Sequence, residues 1–159
     1  LSRAQIAGTV NILSARTPVK PALQKMSQSF SKLYERNATL ICDDDVFFQG
    51  EKGDFYEMVG NIIENACKYG HNNISIHATT YQHQLVITID DDGKGIASKD
   101  LKDVFKRGKR LDQTKPGTGI GLASTHDIVT LYKGSIKLSK SSLGGLNVTI
   151  IFPTNTSNL

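Results

Sequence analysis

The chain has 159 residues, of which 38% are apolar and 21% are charged, and its formal net charge is +4 at pH 7. This length and composition are typical of one soluble globular domain with its own hydrophobic core. No apolar run approaches the ~18 residues that a membrane span needs, and no signal peptide opens the chain, so we expect any membrane-spanning part to belong to a longer parent protein.

Apolar residues recur at helical spacing in two stretches near the start, 6–13 and 23–33, and Pro18 and Pro21 interrupt the pattern between them. The second stripe consists of Leu23, Met26, Phe30 and Leu33. The first stretch is too short to bury its stripe unaided, so we interpret it as the end of an element from another domain. The predicted division is a helical stub at 1–17, a folded domain at 18–153 and a tail at 154–159.

After this entry segment, short strands alternate with helices. The predicted strands are 39–42, 46–49, 74–78, 85–89, 135–138 and 146–152, and the predicted helices are 54–68, 101–105 and 121–132. An Asp54–Glu57 capping box is expected to open the longest helix, and Gly134 is expected at the C′ position of the last one. The last two strands are predicted to pair around Gly144 and Gly145. The fold class is therefore a two-layer α+β sandwich, in which three helices cover about five mostly antiparallel strands.

Two features of the composition carry little functional information by themselves. Cys42 and Cys67 are far apart and suit packing in a reducing interior better than a disulfide or metal site. The stretch 99–115 is basic, and its part at 106–117 is punctuated by Gly and Pro, which predicts a mobile loop. Such a cluster suits an anionic ligand, nucleic acid or simply solvated surface.

The helix at 54–68 carries an unusual polar stripe. Residues four apart on a helix point in nearly the same direction, so Glu57, Asn61 and Asn65 share one face, with Lys68 close to it. Met58, Ile62 and Ala66 form the buried face. Asparagine is a mediocre helix former, but its amide oxygen suits Mg²⁺ that phosphates already hold. A solvated helix face is an equally good interpretation of this segment alone.

An Asp-Asp-Gly-Lys-Gly-Ile segment, 91–96, follows the strand at 85–89. A carboxylate at a strand end can accept a hydrogen bond from an exocyclic amine such as that of adenine, and Gly93 and Gly95 allow a flat ring to approach closely. A calcium loop is excluded, because its first and twelfth positions fall on Thr88 and Lys99. An ordinary Asp-Gly turn remains possible.

A third segment places Gly117, Gly119 and Gly121 just before and at the start of the last helix. Backbone N–H groups at a helix N-terminus form a phosphate cradle. The spacing matches neither a Rossmann fingerprint nor a Walker A loop. In chain order, the three segments thus supply a magnesium-binding face, an adenine acceptor and a phosphate cradle.

In this order and spacing, the segments resemble the N, G1 and G2 boxes of the ATP-binding domain of sensor histidine kinases, with Phe105 at the aromatic position of the F box. The resemblance covers about 50–153, and the fold it implies is shared with the gyrase, heat-shock-90 and MutL ATPases. Within the family, the segments 61–69, 106–110 and 116–122 resemble PhoQ-type kinases.

The resemblance implies ATP and Mg²⁺ as cofactors. By this likeness, Asn61 and Asn65 would hold Mg²⁺, and Lys68 would reach the phosphates. Tyr69 would stack on adenine, and Asp91 would accept a hydrogen bond from the adenine amine. The remaining ATP-binding positions that the resemblance implies are Gly93, Gly95, Ile96, Arg110, Lys115, Gly117, Thr118, Gly119, Ile120, Gly121 and Leu122.

Two positions in the basic loop are expected to act on the phosphates. Arg110 and Lys115 would meet them as the loop closes, and with Asn61 and Lys68 they form the expected catalytic set. Lys115 stands where PhoQ-type kinases have arginine, so it offers a point charge instead of a planar fork. Thr118 stands where those kinases tend to have glutamine.

The resemblance also implies how the γ-phosphate is used. Members of the superfamily that hydrolyse ATP carry a glutamate four residues before the magnesium-binding asparagine, where this chain has Asn61, so we expect weak hydrolysis and transfer to a histidine. None of His71, His77, His83 and His126 has the sequence context of a phosphoacceptor. We therefore expect no autophosphorylation by this chain alone.

The expected partners are a separate dimerisation and phosphoacceptor domain and, through it, a response regulator, with no role for nucleic acid. We expect the isolated domain to be monomeric and to lie on the cytoplasmic side of a bacterial inner-membrane sensor. The alternatives are a non-catalytic module that senses ATP and an ATP hydrolase of the same superfamily.

Overall fold

The computed structural model describes residues 15–97, 100 and 121–154. The elements in chain order are β1 (Thr17–Pro18), α1 (Val19–Tyr34), β2 (Asn37–Cys42), β3 (Phe47–Phe48), α2 (Lys52–Tyr69), β4 (Asn73–Tyr81), β5 (Gln84–Asp91), α3 (Gly121–Leu131), β6 (Ser135–Lys140) and β7 (Leu146–Pro153). The predicted helices at 6–13 and 101–105 and the predicted loop at 106–117 lie outside the described residues.

The main sheet has five strands in the order β2-β4-β5-β7-β6. Only the β2–β4 pair is parallel, and the other three pairs are antiparallel. With the three helices α1, α2 and α3, this arrangement confirms the predicted two-layer α+β architecture. The predicted strand at 46–49 is shorter than expected and lies outside the main sheet, because β3 pairs with β1 in a separate two-stranded sheet.

The core lies between the helices and one face of the sheet. Side chains alternate between the two faces of a strand, and the alternate apolar residues of the three central strands are buried: Ile74, Ile76, Ala78, Leu85, Ile87, Ile89, Val148, Ile150 and Phe152. The opposite face is mostly polar, and some of its side chains bond to one another, as Asn147 Nδ2 does to Asp90 Oδ1 at 2.9 Å. The helices therefore cover a single face of the sheet.

The start of the domain differs in detail from the prediction. Pro18 is the N-cap of α1 and Pro21 lies in its first turn, so both prolines lie at the start of this helix. Thr17, which the predicted division places in the preceding stub, pairs with Phe48 and donates a hydrogen bond to Gly50 O at 2.9 Å. The predicted apolar stripe is wrong at Leu33, which is 68% exposed near the end of α1.

The predicted capping box of α2 is wrong. The helix begins at Lys52 with Glu51 as N-cap, so Asp54 already lies in the first turn. Both acidic side chains instead bind the last helix and the residue after it: Asp54 Oδ2 accepts a hydrogen bond from Tyr132 Oη, and Glu57 Oε2 accepts one from Ser124 Oγ at 2.6 Å. Tertiary partners therefore take the role that local capping was expected to fill.

The end of α3 also differs from the prediction at Gly134. Lys133 has the left-handed φ of 61°, so it occupies C′ and Gly134 occupies C″. The N–H of Gly134 donates to Val129 O and that of Lys133 to Thr130 O, which is the Schellman pattern. Glycine is still required at this position, because a Cβ on it would overlap the ring of Phe152.

Strands β4 and β5 form a tight hairpin that extends beyond the predicted strands. Tyr81 pairs with Gln84 across a two-residue turn. Gln82 and His83 both have left-handed φ angles, 49° and 61°, as a type I′ turn requires. Within the described ranges, no helix is long and apolar enough to cross a membrane.

Candidate functional site

Asp91 ends β5, and its carboxylate is buried, with the residue 5% exposed. Its Oδ1 accepts hydrogen bonds from Gly93 N at 2.9 Å and from Leu146 N at 3.2 Å. Burial raises the pKa of Asp91 above its usual range, although these two backbone donors oppose the shift. Both donors bind the same oxygen, so the carboxylate is fixed in orientation while Oδ2 remains for another donor.

Two glycines make room around this carboxylate. A Cβ on Gly93 would overlap the carbonyl of Tyr69, and a Cβ on Gly145 would overlap Asp91 Oδ1. Gly145 N also donates to Asp91 O at 3.0 Å. The sequence predicts Gly145 only as part of a hairpin turn. That turn needs a left-handed residue at Gly144, whose φ is 109°. The second glycine of the pair is therefore the sequence signal for a further role.

The contact between Gly93 and Tyr69 joins two of the predicted segments. Tyr69 is the last residue of α2, and its backbone carbonyl lies against Gly93. Gly70 follows and is buried near Asp91, whose Cβ would be 3.5 Å from a Cβ on this glycine. The structure therefore brings Tyr69, Asp91 and Gly93 together, as an adenine site would require.

The asparagine stripe of α2 leads from this region toward α3. Asn61 and Asn65 are half-buried, whereas Met58, Ile62 and Ala66 on the adjoining face are buried, so the faces of the helix are as predicted. Asn61 Nδ2 donates to Gly121 O at 3.1 Å. Because Nδ2 points at this carbonyl, Oδ1, the other branch of the planar amide, points away from it. This bond joins the asparagine stripe to the end of the third predicted segment.

Two further hydrogen bonds fasten α3 to the same side of α2. Ser124 Oγ donates to Glu57 Oε2, and buried Thr125 Oγ1 donates to Met58 O at 3.0 Å. From Asn61 to Tyr69 the helix rises about 12 Å. The polar stripe therefore connects the start of α3 with the Asp91 region.

Asp92 is a residue that the sequence analysis did not single out. Its Oδ1 accepts hydrogen bonds from His71 N at 2.8 Å and Asn72 N at 2.9 Å, and its Oδ2 accepts one from Asn73 N at 2.9 Å. Slight burial raises the pKa of Asp92, but the backbone donors outweigh it and lower the pKa below its usual value. No local sequence pattern links position 92 to positions 71–73.

Four of the other expected site residues lie in the described part of the chain. Lys68, Gly95 and Ile96 are partly exposed near the Asp91 region, and Gly95 has a left-handed φ of 73°. Leu122 packs against the core. Several expected residues lie outside the described part of the chain: Arg110, Lys115, Gly117, Thr118, Gly119 and Ile120. All four histidines are exposed: His71, His77, His83 and His126.

Comparison with known proteins gives one family match and several similar proteins. Residues 50–156 match the model of the histidine kinase-, DNA gyrase B- and HSP90-like ATPases. The chain is 36% identical over 155 residues to the sensor protein PhoQ of Escherichia coli K12 and 38% identical over 156 residues to the virulence sensor histidine kinase PhoQ of Salmonella typhimurium LT2. These matches cover 96% of this chain and 32% of each relative, so the chain spans about a third of their length.

Among solved structures, the ATP-binding domain of PrrB from Mycobacterium tuberculosis has the same fold. The two superpose with a TM-score of 0.76 at 22% sequence identity, covering 89% of this chain and 98% of that one. The helices and strands described above therefore form the same fold as that domain.

Proposed function

This chain belongs to the family of histidine kinase-, DNA gyrase B- and HSP90-like ATPases, as an ATP-binding catalytic domain of the sensor histidine kinase kind, and we propose that it transfers the γ-phosphate of ATP to a histidine on a separate phosphoacceptor domain. The observation that carries the proposal is the buried Asp91 carboxylate, which backbone donors orient at one end of the α2 asparagine stripe.

At the base end of the site, Asp91 accepts a hydrogen bond from the exocyclic amine of adenine. Its Oδ1 is occupied by the N–H groups of Gly93 and Leu146, which leaves Oδ2 to bind the amine. Tyr69 offers its ring for stacking on the base, and the missing Cβ of Gly93 lets the two segments lie close enough to share one ligand. Gly95 and Ile96 line the approach.

At the phosphate end, the residues present fit a magnesium ion. Asn61 Nδ2 is held by Gly121 O, so its Oδ1 is available on the same helix face as Asn65. Amide oxygens are suitable neutral ligands for Mg²⁺ that phosphates also bind, and the ion, when bound, neutralises phosphate charge. Lys68, Arg110 and Lys115 add positive charge, and the segment from Gly117 to Gly121, with Thr118, Ile120 and Leu122, offers backbone N–H groups to the phosphates.

The chemistry at Asn61 favours transfer over hydrolysis. An amide cannot take the proton of an attacking water, so the position that holds the general base in hydrolysing relatives lacks one here. Phosphoryl transfer then depends on positioning and charge neutralisation at a supplied acceptor. The same residues also serve a module that only senses ATP, and phosphate transfer distinguishes the two.

In the parent protein, we place this domain on the cytoplasmic side of a bacterial inner-membrane sensor. Its partners there are the protein's own dimerisation and phosphoacceptor domain and, through that domain, a response regulator. The PhoQ relatives are named as sensor proteins, which supports this placement.

Calorimetric titration with a non-hydrolysable ATP analogue, with and without Mg²⁺, tests the site. We expect magnesium to strengthen binding to the unmutated chain. Asp91→Asn should abolish binding, because the amide can present an N–H donor to the adenine amine, which is itself a donor. Asn65→Asp should change the effect of magnesium on binding. If the unmutated chain does not bind, the proposed function is wrong.

A further inference from the structure

The turn that follows α2 is held by a side chain from the neighbouring strand end. Main-chain N–H groups of three consecutive residues, His71, Asn72 and Asn73, converge on the carboxylate of Asp92 at 2.8–2.9 Å. Asn72 N also lies 3.2 Å from Oδ2, and Asn73 Nδ2 lies 3.3 Å from it. Successive backbone N–H groups form a concavity that binds anions, and here Asp92 fills it.

Both partners in this contact, the turn and Asp92, are adjacent in sequence to residues of the proposed base site. The turn follows Tyr69 and Gly70, which end α2, and Asp92 lies between Asp91 and Gly93. Gly93 lies against the Tyr69 carbonyl. Two adjacent contacts therefore fasten the end of α2 to the end of β5, and one of them depends on the charge of a side chain.

We propose that Asp92 is a positioning residue for the nucleotide base: it holds the 71–73 turn and thereby fixes Tyr69 relative to Asp91. This inference depends on the proposed function, since it names a residue that shapes the same site without touching the ligand. The bonds are charge-assisted, which makes them shorter and stronger than bonds between neutral groups.

Loss of these bonds should affect the site more than the fold. His71, Asn72 and Asn73 are exposed, so water can satisfy their N–H groups when the carboxylate is removed, and no buried donor is left unpaired. The turn would then sample several conformations, and Tyr69 with it. The expected effect is weaker binding with only a modest loss of thermal stability.

Three variants separate this role from a loss of charge: Asp92→Ala, Asp92→Asn and the control Asp90→Asn. Asp92→Ala removes every acceptor, whereas Asp92→Asn keeps one oxygen for the His71 and Asn72 N–H groups. Asp90→Asn removes the same charge two residues away, from a carboxylate that bonds Asn147 on the open sheet face. Each is titrated with ADP and with the non-hydrolysable ATP analogue, with and without Mg²⁺, and its melting temperature is measured.

We expect Asp92→Ala to weaken the binding of both nucleotides by the same factor of about ten. Asp92→Asn should weaken binding less, and Asp90→Asn should bind both nucleotides as the unmutated chain does. The ratio of the affinities with and without Mg²⁺ should be the same in each variant as in the unmutated chain, because the metal acts at the phosphate end. In amide NMR spectra, the signals of residues 71–73 should shift in Asp92→Ala and remain in place in Asp90→Asn.

The inference is overturned if Asp92→Ala binds with unchanged affinity, if Asp90→Asn weakens binding equally, or if the loss differs between ADP and the ATP analogue. If Asp92→Ala does not fold, Asp92→Asn decides the matter, and unchanged affinity in that variant with shifted amide signals contradicts a positioning role. Failure of the unmutated chain to bind nucleotide would instead overturn the proposed function itself.

Discussion

Asp91 occupies an environment that disfavours the charge its proposed role needs. The side chain is buried at the end of β5, and burial raises its pKa above the ordinary value of 3.8. Two backbone N–H groups compensate only in part. The arrangement is typical of a functional site, where an unfavourable charge is retained for a ligand that pairs with it.

The pKa of Asp91 predicts how stability depends on pH. Because its pKa is higher in the folded state, the folded protein binds more protons than the unfolded chain between the two pKa values, and the free energy of unfolding falls as pH rises through that window. Asp91→Asn removes this effect, since the amide is neutral at every pH and its oxygen can still accept from Gly93 and Leu146.

We therefore expect Asp91→Asn to melt at a higher temperature than the unmutated chain at pH 7 and to lose nucleotide binding. The difference in melting temperature should shrink as the pH falls toward 3.8, where the aspartate itself becomes neutral. A variant that is less stable than the unmutated chain at pH 7 would contradict this account of Asp91.

Gly145 tests the space around the same carboxylate. Gly145→Ala places a methyl group against Asp91 Oδ1 and the backbone N of Gly93, so we expect it to destabilise the fold by about 1–3 kcal/mol, as overpacking does, and to weaken binding of the ATP analogue. Gly53→Ala is the matched control: its Cβ meets nothing within 4 Å, and it should stabilise α2 by up to about 1 kcal/mol. Equal stability of the two variants in chemical denaturation would refute the steric argument.

Residues whose role depends on local sequence were predictable, and those whose role depends on a distant segment were not. Asp91 could be proposed as the adenine acceptor because it ends an alternating strand and precedes glycines. Asp92 and Gly145 have no such pattern, since their partners lie about 20 and 50 residues away. The wrong capping box has the same cause, because Asp54 and Glu57 bind residues near the end of the chain.

At the scale of elements, the joint between α2 and α3 sets the geometry of the proposed phosphate end. In the part of the chain that the structure describes, the side chains of Asn61, Ser124 and Thr125 make hydrogen bonds across it. Only the bond from Thr125 is fully buried. The joint therefore combines one stabilising contact with two that orient polar side chains.

Thr125→Val and Ser124→Ala separate these contributions. Thr125 is 0% exposed, and valine keeps its branched shape while removing the hydroxyl that donates to Met58 O. We expect a loss of about 1 kcal/mol in the free energy of unfolding, measured by denaturant titration. Ser124→Ala removes a bond to an exposed glutamate and should cost less than about 0.5 kcal/mol. A Ser124 variant as unstable as the Thr125 variant would show that the exposed bond is also structural.

Element types were predicted better than element ends. Alternating apolar residues indicated β4 and β5, but their hairpin turn contains Gln82 and His83, which lack the Asn-Gly or Asp-Gly signal of a type I′ turn. The sequence places Pro18 and Pro21 only between two apolar stripes and does not define the start of α1, because proline can begin a helix as well as interrupt one. In both cases tertiary context selects a conformation that local preference leaves open.

At the scale of the whole molecule, the fold and the family were predicted from the order of three motifs. The five-stranded sheet, the three helices and the family match over residues 50–156 confirm this reading. The chain spans about a third of the length of the PhoQ relatives, 32% in each case, so the phosphate acceptor stays a proposal. Motif reasoning therefore identifies the catalytic domain, and the destination of the phosphate needs an experiment.

Phosphate transfer from γ-labelled ATP to a separately prepared phosphoacceptor domain of a PhoQ-type kinase tests the central claim most directly. We predict acid-labile label on that domain, dependent on its acceptor histidine and on Mg²⁺, lost with Asn65→Asp in this chain, and absent from this chain itself. Label on this chain when it is incubated alone, or rapid release of phosphate into solution with none on the acceptor, would contradict the account.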